Sequence, residues 1–169
     1  PFTFLSVFER SSRKGGEELL QAYLSAFTEQ DNVVLYIKTY LTKFVVGHDV
    51  DKSKQGVQQV VQEAINKAWQ KLQQEQHHAP SSKPPRVLVL ADRLPAAAMP
   101  QLYKAADCFV LPSRGEGWGR PYMEAMAMGL PVVATNFSGP TEFLNDQNSY
   151  LIPYTMQKVE KDNAIADHY

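Results

Sequence analysis

The sequence predicts an α/β fold, a Rossmann-like open parallel sheet with helices on both faces. Three observations lead there. Short apolar runs alternate with helix-spaced segments from one end of the 169-residue chain to the other. A glycine-rich loop leaves one of those runs at Pro112 and passes directly into a helical segment. The connections are long enough for right-handed crossovers, which parallel strands require.

The elements follow in order. Phe2 to Phe8 is apolar and aromatic, and reads as a buried strand. Ser11 to Gly16 is a polar loop. Glu17 to Phe27 places Leu19, Leu20, Tyr23, Leu24 and Phe27 on one helical face, with acids in the first turn. Asp31-Asn32 is a turn, and Val33 to Thr39 a second strand. Lys52 to His78 carries Val57, Val60, Val61, Ala64, Ile65, Ala68 and Leu72 at helical spacing among Gln, Lys and Glu. This is a long amphipathic helix with a solvated outer face, and a partner helix against its stripe is the alternative. A Pro/Ser/His linker follows from His77 to Pro85, with His77 and His78 expected to be solvated rather than metal ligands.

Arg86 to Leu90 is a strand, Asp92 to Pro100 a loop, Met99 to Ala106 a short helix and Cys108 to Leu111 a strand. Pro121 to Met128 is a helix with proline in its first turn, closed by Gly129. Pro131 to Thr135 is a strand. Gly139-Pro140-Thr141-Glu142 is expected to start a further helix, with Glu142 placed for a capping box. Tyr150 to Ile152 is the last strand.

Composition bounds the function. The length suits a single domain over residues 1–169. A hydrophobic content of 44% and a charged content of 21% describe an ordinary globule. The formal net charge of -1, with scattered basic residues, gives no reason to expect nucleic acid. No segment approaches the ~20 apolar residues of a membrane span, and no membrane contact is expected. One cysteine, Cys108, excludes an internal disulfide and reads as a buried, inert thiol. That usage is of the cytoplasmic type, but no targeting segment fixes a compartment. The chain begins at Pro1 without a methionine, so it is expected to be a piece of a longer protein.

In an open parallel sheet, ligands bind beyond the carboxyl ends of the strands. Three loops there have unusual composition. Glu9 to Gly16 combines small residues, Arg10, Arg13 and Lys14, and the start of a helix. Free N–H groups and positive charge suit a diphosphate; a solvated basic turn is the alternative. It lacks the Gly-Lys-Ser/Thr of a Walker A loop and the dinucleotide fingerprint. The second loop is Pro112 to Gly119. Gly117 and Gly119 allow tight turns that expose the amides of Trp118, Gly119 and Arg120. Glu116 and Glu124 can accept hydrogen bonds from a polyhydroxyl ligand. Glu124 alone would also be explained by its charge near a helix N-terminus, worth roughly 0.3–1 kcal/mol. Trp118 is either a rim packing residue or a stacking surface. The third loop, Ala91-Asp92-Arg93-Leu94-Pro95, suits contact with a nucleotide base through Arg93 and Leu94, or is an ordinary turn.

Several segments together resemble one family. They are Phe4 to Phe8 with Arg13-Lys14-Gly15, Leu102 to Ser113, Gly115 to Met128, Gly129 to Thr135, and Ser138-Gly139 with Glu142. In this order they look like the carboxy-terminal, donor-binding half of a family 4 retaining glycosyltransferase. The signature pair of glutamates with seven residues between them is Glu116 and Glu124. The resemblance implies one Rossmann-like half of the glycosyltransferase-B architecture, with the acceptor site on an amino-terminal domain outside this chain.

Position by position, the resemblance implies that Glu116 contacts the transferred sugar and Lys14 neutralises the departing diphosphate, these two being catalytic. Arg13, Gly117, Trp118, Gly119, Arg120 and Glu124 would bind the donor, Glu124 through the ribose. The donor is a nucleotide sugar, with no cofactor and no metal. One departure stands out: five residues before Lys14, where the family usually has arginine, this sequence has Glu9. Arg10 or Arg13 would have to substitute. The fragment alone is expected to be inactive. The alternative reading is a catalytically silent glycosyltransferase-like scaffold, with a protein partner along the helix of residues 52–76.

Overall fold

The computed structural model describes residues 1–40, 50–75, 78–79 and 81–158. It contains a six-stranded sheet: β1 (Phe2–Glu9), β2 (Val33–Tyr40), β3 (Arg86–Leu90), β4 (Cys108–Leu111), β5 (Val132–Thr135) and β6 (Tyr150–Ile152). Among the described residues, four α-helices accompany it: α1 (Gly16–Ala26), α2 (Val50–Gln74), α3 (Met99–Lys104) and α4 (Arg120–Ala127). Every strand pair is parallel, in the order β3-β2-β1-β4-β5-β6. This is the Rossmann-like open sheet expected from the alternation of elements.

Strand pleating divides the helices between the two faces. Phe4 aligns with Leu35 and Cys108, and its ring meets Tyr23 and Phe27 at 6.0 and 5.9 Å, so α1 covers that face. Leu5 points to the opposite face with Phe109, Val132 and neighbouring Leu111. There Phe109 packs against Tyr103 of α3 and Tyr122 of α4. Long apolar runs arise because the central strands are buried on both sides.

Helix α2 lies beside α1 on the first face. Val61, Ile65, Trp69 and Leu72 of its stripe belong to the main core, and Val57 on the same stripe is buried as well. Burying each such side chain contributes about 1.5–3 kcal/mol relative to exposure. The chain itself therefore uses the apolar stripe, leaving the polar outer face for any partner along residues 52–76.

Two expectations are corrected. The segment after Ser138 is a single 3₁₀ turn, Gly139–Glu142, without a side-chain cap. Ser138, the residue just before it, accepts instead from the Glu116 N–H at 2.9 Å. A hydroxyl committed to another loop cannot close a capping box. His78 is not a solvated residue either. Its Nε2 lies 2.7 Å from the Leu24 carbonyl oxygen, and its ring stacks on Trp69 at 4.6 Å. Leu24 sits in the last turn of α1, where carbonyls lack helical partners. His77 lies outside the described residues. Cys108 is buried, and burial pushes its thiol pKa up, as an inert thiol requires.

Candidate functional site

Strand order reverses between β1 and β4, which lie side by side. The chain leaves β1 toward α1 on one face and β4 toward α4 on the other. A crevice opens at such a switch point, beyond the carboxyl ends of the two strands. The loops that line it are the two most unusual segments of the sequence.

Backbone contacts hold these loops together. The Arg114 N–H donates to the Arg13 carbonyl at 2.8 Å. The Arg13 guanidinium returns a hydrogen bond to the Gly115 carbonyl at 2.6 Å. Gly15 makes the approach feasible. Its φ is +68°, and a Cβ there would lie 2.0 Å from the Pro112 carbonyl oxygen. Only glycine tolerates both conditions. On the other side, Gly139 donates its N–H to the Glu116 carbonyl at 3.1 Å. A Cβ at Gly139 would lie 2.0 Å from the Gly117 oxygen. The loops after β1, β4 and β5 thus meet around Glu116.

The Glu116 carboxylate is almost enclosed, with 8% of its side chain exposed. Lys14 Nζ donates to Oε1 at 2.6 Å and Oε2 at 2.9 Å. Arg13 Nη1 is 3.4 Å from Oε2. Ser113, itself buried, places Oγ 2.9 Å from Oε1 and 3.2 Å from the Arg13 and Gly115 carbonyls. A hydroxyl has one proton, and the charged carboxylate is its nearest acceptor. Glu116 therefore receives two cations and a hydroxyl. Its charge is felt at Tyr122, whose phenol pKa is raised first by burial and then by Glu116.

Glu124 stands in the second turn of α4. The buried Tyr103 hydroxyl donates to its Oε2 at 2.8 Å. Arg120 Nη2 is 3.9 Å from Oε1, and the Glu124 side chain is 41% exposed. Burial, reinforced by the hydrogen bond and charge of Glu124, raises the Tyr103 pKa, so the phenol stays a donor at neutral pH.

Helix α4 begins after Gly119, whose φ is +85°. Among the described residues, the N–H groups of Gly117, Trp118 and Gly119 find no acceptor. That of Arg120 is at the helix N-terminus, where amides are free. Apart from its chain neighbours, nothing lies within 4 Å of the position a Cβ on Gly117 would take. The Trp118 indole N–H points at the Met123 sulfur at 2.7 Å, and its ring lies 5.5 Å from Phe143. It has packing neighbours yet remains 49% exposed.

The structure thus brings Arg13, Lys14 and Glu116 into one cluster, with Glu124 on the helix that follows. It does not bring in Arg10, which is partly buried near Glu17, with its pKa lowered by burial and opposed by that acid. Of the two arginines offered against the Glu9 departure, Arg13 reaches the Glu116 loop. Arg93 and Leu94 follow edge strand β3, which β2 and β1 separate from β4. Beside them Asp92 pairs with Lys54, which lowers its carboxyl pKa. Sequence reasoning missed Ser113 and Tyr103 as neighbours of the two glutamates. Nor did it foresee the backbone of Ser138, whose φ of +61° is rare for a non-glycine residue. Among the described residues, no group of three or more His, Cys, Asp or Glu could hold a metal. Nor is any described helix long and apolar enough to cross a membrane.

Residues 2–166 match the family described as glycosyl transferases group 1. The chain belongs to this family. Its sheet is one half of the glycosyltransferase-B fold. It is similar to the O-antigen chain mannosyltransferase B of Escherichia coli, at 45% identity over 53 residues, 31% of this chain and 14% of that protein. It is also similar to the lipopolysaccharide core biosynthesis mannosyltransferase LpsB of Rhizobium meliloti (strain 1021). There the identity is 44% over 71 residues, 40% of this chain and 20% of the relative. Among solved structures it resembles Anabaena Alr3699/HepE in complex with UDP, with a TM-score of 0.59 and 27% identity. That likeness covers 90% of this chain and 35% of the Anabaena chain. The aligned part is therefore a minor share of each of these longer proteins.

Proposed function

We propose that this group 1 glycosyltransferase chain binds a nucleoside-diphosphate sugar as the donor half of a retaining enzyme. The observation that carries the reading is the meeting of Lys14 with Glu116 where the sheet changes direction. The likeness to an Anabaena protein solved with UDP supports it.

Each group has a physical task in this reading. Lys14 and Arg13 offer positive charge to the diphosphate. As the glycosidic bond to phosphate breaks, negative charge grows on the leaving oxygen, and a fixed cation beside it lowers the barrier. Glu116, relieved of Lys14 by the phosphate, accepts hydrogen bonds from hydroxyls of the transferred sugar. The amides from Trp118 to Arg120 donate to sugar and phosphate oxygens at the start of α4. Glu124 accepts from the ribose. Arg93 and Leu94 lie on the base side. Protein cations and amides carry the leaving-group charge, so this reading needs no metal ion. The acceptor and the remaining catalytic groups belong to an amino-terminal domain, and this chain alone transfers no sugar at a useful rate.

A second reading is a silent scaffold, favoured by the closure of Lys14 and Glu116 on each other. Calorimetric titration of the purified chain with UDP, GDP and ADP separates the two. Binding of at least one that is weakened about tenfold, but still measurable, in Glu124→Ala supports the donor site. No heat at millimolar nucleotide selects the scaffold.

A further inference from the structure

We propose that Tyr103 is a positioning residue for nucleotide recognition, holding one oxygen of Glu124 so that the carboxylate presents the other to a ribose. The inference deepens the donor-binding reading and rests on it. Tyr103 and Glu124 come from different helices, 21 residues apart, packed side by side on one face of the sheet. The Tyr103 ring is fixed by burial and by its packing on Phe109 at 5.9 Å. Its hydroxyl is therefore an immobile donor aimed at a carboxylate that is otherwise partly open to solvent.

An ionised carboxylate accepts at about four lone-pair sites. Tyr103 takes one on Oε2 at 2.8 Å. Arg120 stands 3.9 Å from Oε1, beyond hydrogen-bond distance, and its side chain is 84% exposed. Oε1 and the second lone pair of Oε2 remain for a vicinal diol. A glutamate without the phenol would sample several rotamers, and ordering it on binding would cost affinity. A locked one meets both hydroxyls of a ribose at once, and a 2′-deoxyribose leaves one acceptor unmet. Tyr103 thus acts through Glu124 and does not itself touch the ligand.

The test is calorimetric, using whichever of UDP, GDP and ADP binds the intact chain, together with its 2′-deoxy form. The wild-type chain should prefer the ribonucleotide by about tenfold, the scale of a hydrogen bond to a charged group. Tyr103→Phe keeps the packed ring and removes only the hydroxyl. It should cut that preference to about threefold or less, and thermal melts should show a folded chain. In a Glu124→Ala background, adding Tyr103→Phe should change nothing, because the coupling partner is gone. A Tyr103→Phe chain that loses affinity equally for both forms would show a merely structural tyrosine and overturn the inference. So would an unchanged preference. In either case, if Glu124→Ala abolishes the ribose preference, the donor site stands without Tyr103. If the wild-type chain binds no nucleotide, or keeps its preference in Glu124→Ala, the donor-site reading fails and the inference falls with it.

Discussion

Lys14 Nζ stands 2.6 Å from Glu116 Oε1, a contact between residues 102 positions apart that joins the loop after β1 to the loop after β4. Both side chains are shielded, at 12% and 8% exposure. Removing one partner of such a pair leaves the other charge desolvated, at a cost of about 3 kcal/mol. Lys14→Ala should destabilise the chain by roughly that amount in urea unfolding. Lys14→Met combined with Glu116→Gln should be milder than the sum of the singles, because neither charge is left behind. In a full-length enzyme, either Lys14→Ala or Glu116→Ala should lower kcat at least ~100-fold, the scale of losing one transition-state donor. Wild-type turnover in both would refute the catalytic roles.

Ser113 bears on the same carboxylate. Ser113→Ala deletes the hydroxyl 2.9 Å from Glu116 Oε1 and leaves the cations in place. A loss of about 1–3 kcal/mol is expected in unfolding, since a buried acceptor loses a partner. Ser113→Thr keeps the hydroxyl and should recover part of it. Equal stability of the Ala variant and the wild type would remove Ser113 from the network.

Two glycines set the loop spacing. Gly15→Ala and Gly139→Ala would each push a Cβ to 2.0 Å from a backbone carbonyl oxygen. Backbone cannot yield as a side-chain tip does, so the loops must separate. Nucleotide binding should fall at least ~10-fold in each, the equivalent of about 1.4 kcal/mol.

Alkaline pH offers a test of the core. Burial pushes the Tyr23 phenol from 10.0 up to about 12. Its hydroxyl donates to the Arg86 carbonyl at 2.9 Å. A folded pKa above the unfolded one means the native state binds more protons in the interval between them. This contribution to stability is complete below pH ~10 and is lost as pH rises toward about 12. Unfolding free energies measured across that window should fall with pH. They should fall less steeply in Tyr23→Phe, and parallel slopes would show that Tyr23 does not titrate as stated.

The strands were legible as short apolar runs. Cys108–Leu111 is apolar because it is buried within the sheet, and the edge strand Arg86–Leu90 is apolar though only partly covered. The bounds of both are the ones the sequence implies. Helix α1 was legible from the spacing of Leu19, Leu20, Tyr23 and Leu24, all buried in the structure. The segment after Ser138 was not. Local sequence there obeys the rules for a helix start, but the Ser138 hydroxyl is drawn to a loop 22 residues away. His78 misled for the same reason, since its partners Leu24 and Trp69 come from elsewhere in the fold.

By itself the sequence determined the layered sheet, the glycine-rich loop and the residue types that could meet a charged, hydroxyl-rich ligand, because these follow from periodicity and local turn chemistry. Tertiary structure alone decided which of those residues meet. It placed Arg13 rather than Arg10 beside Glu116, turned Lys14 onto that carboxylate, and brought Tyr103 under Glu124. Such pairings depend on strand order and helix packing over separations of 21 to 103 residues, and no local pattern encodes them.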